Sequence, residues 1–79
     1  MSPFKLYDVV RVVKVVRSSE DYDGWRINKR APQVGDIGTF IDLFHAPNLP
    51  DHYVVECTAP DGSAIWVSEF LADEIEPIS

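Results

Sequence analysis

Apolar and charged positions follow a three-residue rhythm near the start of the chain. Tyr7-Asp8-Val9-Val10-Arg11-Val12-Val13-Lys14-Val15-Val16 places a charge at every third residue between pairs of valine, which suits a helix stripe as well as a strand. Six valines in eight positions decide for a strand, because β-branched side chains lose rotamer freedom in a helix and pack well on a pleated sheet. Val9, Arg11, Val13 and Val15 then share one face, and Val10, Val12, Lys14 and Val16 the other. Residues 17–33 break the pattern with Ser18-Ser19, Asp23-Gly24 and Pro32, and read as one long loop, of a length that is functional or mobile in compact domains.

Val34-Gly35-Asp36-Ile37-Gly38-Thr39-Phe40-Ile41-Asp42-Leu43-Phe44 reads as a turn entering a second strand, its glycines marking a bend or a close approach to another strand. A proline-containing loop, His45 to Asp51, precedes a third strand from His52 to Ala59. Pro60-Asp61-Gly62-Ser63 is a hairpin turn, since Asp-Gly tolerates positive φ. Ala64 to Val67 forms a fourth strand. Ser68-Glu69-Phe70-Leu71-Ala72 predicts a short helical turn capped by Ser68, and Asp73 to Ile78 a closing strand. Five short strands without a long helical pattern predict an all-β fold, a small five-stranded barrel spanning residues 1–79 as a single domain.

Charge adds an asymmetry to this picture. Residues 1–33 hold all seven bases against four acids, +3, while residues 34–79 hold nine acids and no base, −9. Mutual neutralisation between early and late strands is the simplest outcome in one compact domain. Seventy-nine residues leave no room for a second core. No apolar run approaches the roughly 20 residues of a membrane helix. Met1-Ser2-Pro3-Phe4 lacks the regions of a signal peptide, and a single cysteine, Cys57, fits a reducing cytoplasm.

The strand opening at Asp8-Val9-Val10, the turn and strand Val34-Gly35-Asp36-Ile37-Gly38-Thr39, Tyr53-Val54-Val55-Glu56-Cys57 before Asp61-Gly62, and the acidic-aliphatic C-terminal segment together resemble a bacterial family, domain of unknown function 4926. The resemblance covers most of the chain, and its most specific part is Gly-Asp-Ile-Gly-Thr. It implies the SH3-like five-stranded barrel also found in KOW-type modules, and an origin of the kind seen among mobile gene cassettes. It carries no chemistry with it. The first loop departs from the family in being longer and in containing Tyr22, Trp25 and Ile27.

Conventional chemistry finds little support. His45, His52, Asp42, Asp51 and Cys57 match no zinc spacing, and the two histidines flank one proline-containing loop where polar side chains are expected. Cys57 shares a face with Tyr53 and Val55, as a core residue would. Phosphate-loop, nucleophile-elbow and dinucleotide motifs are lacking, so no cofactor, metal or catalytic residue is expected. Asp73, Glu74 and Glu76 read as a solvated face.

Binding is the better expectation. Tyr22, Trp25, Arg26, Ile27, Lys29 and Arg30 interleave rings and cations in the first loop, a mixture that can cover a barrel end, meet a protein partner, or stack bases and neutralise phosphates. The acidic remainder, with a sequence pI of about 4.6, disfavours nucleic acid. The expected function is therefore a non-catalytic protein-interaction module, inhibitor- or immunity-like in the case of a basic partner, with a KOW-like nucleic-acid module as the alternative. The valines on both faces of the first strand further predict a homo-oligomer, most simply a dimer, in which Val9, Arg11, Val13 and Val15 meet a second copy and Arg11 pairs with one of its acids, the alternative being that the long loop covers this strip within one chain.

Overall fold

The computed structural model describes residues 4–78. Met1, Ser2 and Pro3, read above for a leader, lie outside them, as does Ser79. Five strands form one antiparallel sheet: β1 (Val9–Val12), β2 (Ile37–Phe44), β3 (His52–Thr58), β4 (Ala64–Phe70) and β5 (Ile75–Pro77). Their spatial order is β4-β3-β2-β1-β5. No ladder joins β4 to β5, so these two strands are the margins of the sheet. Two short 3-10 turns, Ser19–Tyr22 and Ala72–Glu74, are the helical content among the described residues, and no helix there is long and apolar enough to cross a membrane.

The valine-rich segment pairs for only four residues. Val10 and Val12 point into the core, and Val9 and Arg11 point out. Val16, grouped with the inward face by strict alternation, is exposed because the strand has already ended. The core is built from Val10, Val12, Phe40, Tyr53, Val55, Cys57, Trp66, Phe70 and Ile75, joined by Phe4 and by Tyr22 from the long loop. Tyr53 stands at the centre of an edge-on and tilted aromatic cluster with Phe4 and Phe40, an arrangement ring quadrupoles favour over a face-to-face stack.

Two glycines serve the purposes their placement suggested. Gly35 turns the chain with φ at 97°, and Gly38 lets β2 approach β3 so closely that a Cβ there would lie 2.7 Å from the Glu56 carbonyl oxygen. The Asp61-Gly62 hairpin also forms, with Gly62 at φ 89° and Ala59 donating to the Ser63 carbonyl at 2.8 Å.

The C-terminal helical turn is displaced from its expected position. Ser68 is not a cap but a fully buried residue inside β4, where its hydroxyl donates to the Tyr22 carbonyl at 2.6 Å. Trp66, Ser68 and Phe70 alternate inward, so β4 continues to Phe70 and the turn follows at Ala72–Glu74.

An irregularity in β2 matters most for the surface. Pairing with β3 slips between Phe40 and Asp42. Phe40 is opposite the buried Val55, but two residues on Asp42 is opposite Val54, and Phe44 opposite His52. Ile41 is thus an extra residue, a bulge that reverses the alternation. Without it Phe44 would follow Phe40 into the core. With it Leu43 packs inward and Phe44 faces solvent.

Candidate interaction surface

The long loop between β1 and β2 is built onto the sheet by two carboxylates. At its start, Glu74 is fully buried. One of its carboxylate oxygens accepts the Tyr22 hydroxyl, and the other accepts the Leu71 N–H at 2.9 Å and an Arg17 guanidinium N–H at 3.4 Å. Arg17 also donates to the Glu69 carbonyl of β4 and lies over the Tyr22 ring at 4.4 Å, a cation held against a π face. Tyr22 accepts in turn from the Val16 N–H at 3.0 Å. This polar group lies between the unpaired margins β4 and β5, because Arg17 reaches the Glu69 carbonyl of β4 and Glu74 immediately precedes β5.

At the other end of the loop, Asp36 accepts both terminal N–H groups of Arg30, at 2.7 and 3.1 Å, together with the Gln33 N–H at 3.0 Å and the Trp66 indole at 2.9 Å. Burial pushes its carboxyl up, yet these four donors outweigh burial and hold it below its ordinary value. Arg30 is held above its own ordinary value by the same hydrogen bonds.

Between these anchors the loop runs along the free edge of β4. Lys29 N–H donates to the Ile65 carbonyl at 2.8 Å, the Asn28 side chain accepts the Val67 N–H at 3.0 Å, and the Asn28 amide donates to the Tyr22 carbonyl at 3.1 Å. Backbone groups that would otherwise invite another strand are therefore occupied from within the chain.

These contacts redistribute the six loop residues predicted to bind. Tyr22 is a correction: its ring is fully buried, and its hydroxyl is committed to Glu74. Arg30 is committed to Asp36, and the Lys29 ammonium donates to the Ser63 hydroxyl at 3.2 Å. Arg26 has φ at 56° and lines a depression with Glu20 and Asp23. Trp25 and Ile27 remain outside, 42% and 52% exposed. The loop both covers the sheet margin and leaves Trp25 and Ile27 in water.

Trp25 is not alone. Its ring stacks on Phe44, with centroids 6.4 Å apart and planes 28° from parallel. Beyond Phe44 lies a cavity of about 200 Å³ lined by Phe44, Ala46, Leu49, Pro50 and His52. Asn48, at φ 64°, provides the left-handed turn that shapes the loop around it. His45 and His52 each meet a carboxylate, Asp51 at 2.6 Å and Glu69 at 3.0 Å, so the loop between β2 and β3 is tied down rather than merely solvated. Phe44 and Leu49 were not read as binding residues, since the exposure of Phe44 depends on the bulge at Ile41.

The strip on β1 is divided. Val9 is outward and 45% exposed, next to the half-exposed Ile37 of β2. Val13 is partly buried beyond the strand end, and Val15 is 37% exposed. Arg11 reaches Glu76 of its own chain at 3.3 Å, so the pairing expected with a second copy is met internally.

Among the described residues, no three His, Cys, Asp or Glu side chains come together as a metal would require. No family model, curated protein or solved structure matches this chain.

Proposed function

We propose that this chain is a non-catalytic protein-interaction module on an SH3-like five-stranded barrel of the kind its likeness to domain of unknown function 4926 implies. The strand order β4-β3-β2-β1-β5, the 3-10 turn between β4 and β5, and the Glu74 group bridging those margins support the barrel reading. The observation that carries the function is the bulge at Ile41, which turns Phe44 outward to stack on Trp25. Burying an aromatic side chain is worth about 1.5–3 kcal/mol, so holding Phe44 and Trp25 each near half exposure forgoes stability that a partner recovers.

The basic loop speaks less for nucleic acid than its sequence did. Arg11, Lys14, Arg17 and Arg30 form ion pairs with Glu76, Asp73, Glu74 and Asp36, leaving Lys5, Arg26 and Lys29 outside such pairs among the described residues. The test compares two interactions in the same samples. Affinity enrichment from the source cell should recover a protein that is lost with Trp25→Ala and with Phe44→Ala, both variants keeping the wild-type β circular dichroism. Fluorescence anisotropy with mixed-sequence single strands at about 0.15 M salt should show nothing tighter than about 100 µM. Micromolar binding abolished by Lys29→Ala with Arg30→Ala would replace this reading with the KOW-like one.

Self-association belongs to the same proposal through a different surface, Val9 and Ile37, which are diagonal neighbours on the outward face. Sedimentation equilibrium should show a dimer that Val9→Lys disperses. A mass of 8.9 kDa at all concentrations removes the dimer.

A further inference from the structure

Pairing of the C-terminal acids with lysine and arginine is confined to one part of the sheet. Four of the nine acids after residue 33 are taken up by Arg11, Lys14, Arg17 and Arg30, all against β1, β5 or the turn entering β2. The other five, Asp42, Asp51, Glu56, Asp61 and Glu69, form no ion pair with Lys or Arg among the described residues. They all belong to β2, β3, β4 and the connections between those strands.

The Trp25–Phe44 pair lies in this acidic half. Asp42, Val54 and Glu69 form a row across β2, β3 and β4, and Phe44 and His52 begin the next row on the same face. Two residues along a strand span about 6.6 Å, so Asp42 is one side chain away from Phe44. Glu69 holds His52, and its free oxygen would lie 3.8 Å from a Cβ at Gly24, the residue before Trp25. Asp51, bonded to His45, adjoins Pro50 at the rim of the cavity. An aromatic pair and an apolar hollow are therefore bordered by Asp42, Asp51 and Glu69. Arg26, the residue after Trp25, lines a separate depression with Glu20 and Asp23.

We infer that this surface receives a cationic polypeptide segment whose apolar side chain enters the hollow beside Phe44. The inference rests on the interaction reading above and specifies its partner. Binding energy at interfaces concentrates in buried aromatic anchors, while flanking charge steers the encounter and selects the partner. At about 200 Å³ the hollow is smaller than the 300–1,000 Å³ usual for drug-sized ligands, and suits one side chain of a longer chain. The same acids repel a polyanion, and the net charge of −6 steers a basic segment toward the molecule.

A random dodecapeptide display library, selected on the immobilised wild-type protein, tests this. Retained sequences should place Lys or Arg on either side of a Leu, Phe, Trp or Ile. A synthetic copy should bind roughly tenfold more weakly to Asp42→Asn with Glu69→Gln, and more weakly still to Trp25→Ala with Phe44→Ala. The single variant Asp42→Asn, at an exposed position, keeps the charge test available should Glu69→Gln disturb folding. Neutral or acidic winners that still require Trp25 and Phe44 overturn the charge assignment and leave the interaction reading standing. A library that retains nothing, or winners indifferent to Trp25 and Phe44, overturns both.

Discussion

Glu74 and Asp36 hold the two ends of one loop in different ways. Glu74 has no contact with solvent and spends both oxygens on the Tyr22 hydroxyl, the Leu71 N–H and the Arg17 guanidinium. Asp36 keeps a 14% exposed side chain and meets a half-exposed arginine end to end. The first anchor bridges the unpaired margins of the sheet, and the second ties the loop exit to Trp66 in β4. The difference teaches that ion pairs in one small protein are not interchangeable. Their weight follows from what is left behind when one member is removed.

Removing Glu74 should have the largest effect. Glu74→Leu strands a mostly buried guanidinium and the Tyr22 hydroxyl without an acceptor, at a cost of about 3–5 kcal/mol. A chain of this size has a total stability of roughly 4–12 kcal/mol, so urea melts should show the variant largely unfolded or close to it. If it melts with the wild type, this polar group is not what holds the margins together. Asp36→Asn should cost less, about 1.5–3 kcal/mol, because water reaches Arg30 and the amide still accepts one hydrogen bond.

Acid distinguishes Asp36 further. Its folded pKa lies below the ordinary value of 3.8, so its contribution to stability is complete above that value and is lost as pH falls through the folded one. Denaturant midpoints measured between about pH 5 and pH 2 should therefore fall less steeply for Asp36→Asn than for the wild type. Equal slopes would mean that Asp36 has the same pKa in the folded and the unfolded chain.

Arg11→Ala should change least. Its pair with Glu76 is about half exposed on both sides, and such pairs contribute about 0–1 kcal/mol. Arg17→Ala, two steps of the same charge rhythm later, should cost several times more. Similar midpoint shifts for the two would erase the contrast on which the comparison stands.

That rhythm shows how much was legible in the sequence. Arg11, Lys14 and Arg17 recur at every third residue and meet Glu76, Asp73 and Glu74, so the expected neutralisation between the ends of the chain is present. Strands, the Asp61-Gly62 hairpin and the close approach at Gly38 were also readable, because turn chemistry and β-branching are local properties. Glu74 was not. In the run Asp73-Glu74 and Glu76 it resembles its neighbours, and only the 3-10 turn at Ala72–Glu74 swings it inward. Tyr22 was misread for the same reason, since a tyrosine in a polar loop looks exposed until its hydroxyl has a buried partner. The bulge at Ile41 showed only in Asp42, a carboxylate that a regular strand would bury between Phe40 and Phe44, and that single misfit does not say where the alternation reverses. With the bulge the exposure of Phe44 was hidden, while Trp25 and Ile27, read in the first loop, do lie exposed.

The single thiol offers a clock. Cys57 is buried within β3 opposite Trp66, and burial, with the Asp36 carboxylate adding to it and Arg30 opposing, pushes the thiol above its ordinary value. A disulfide reagent needs the thiolate and a path to it, and burial of Cys57 disfavours both. Each labelled molecule therefore records one opening of the β3 and β4 region. The labelling rate under native conditions, divided by that of the unfolded chain, measures how often the closed form gives way.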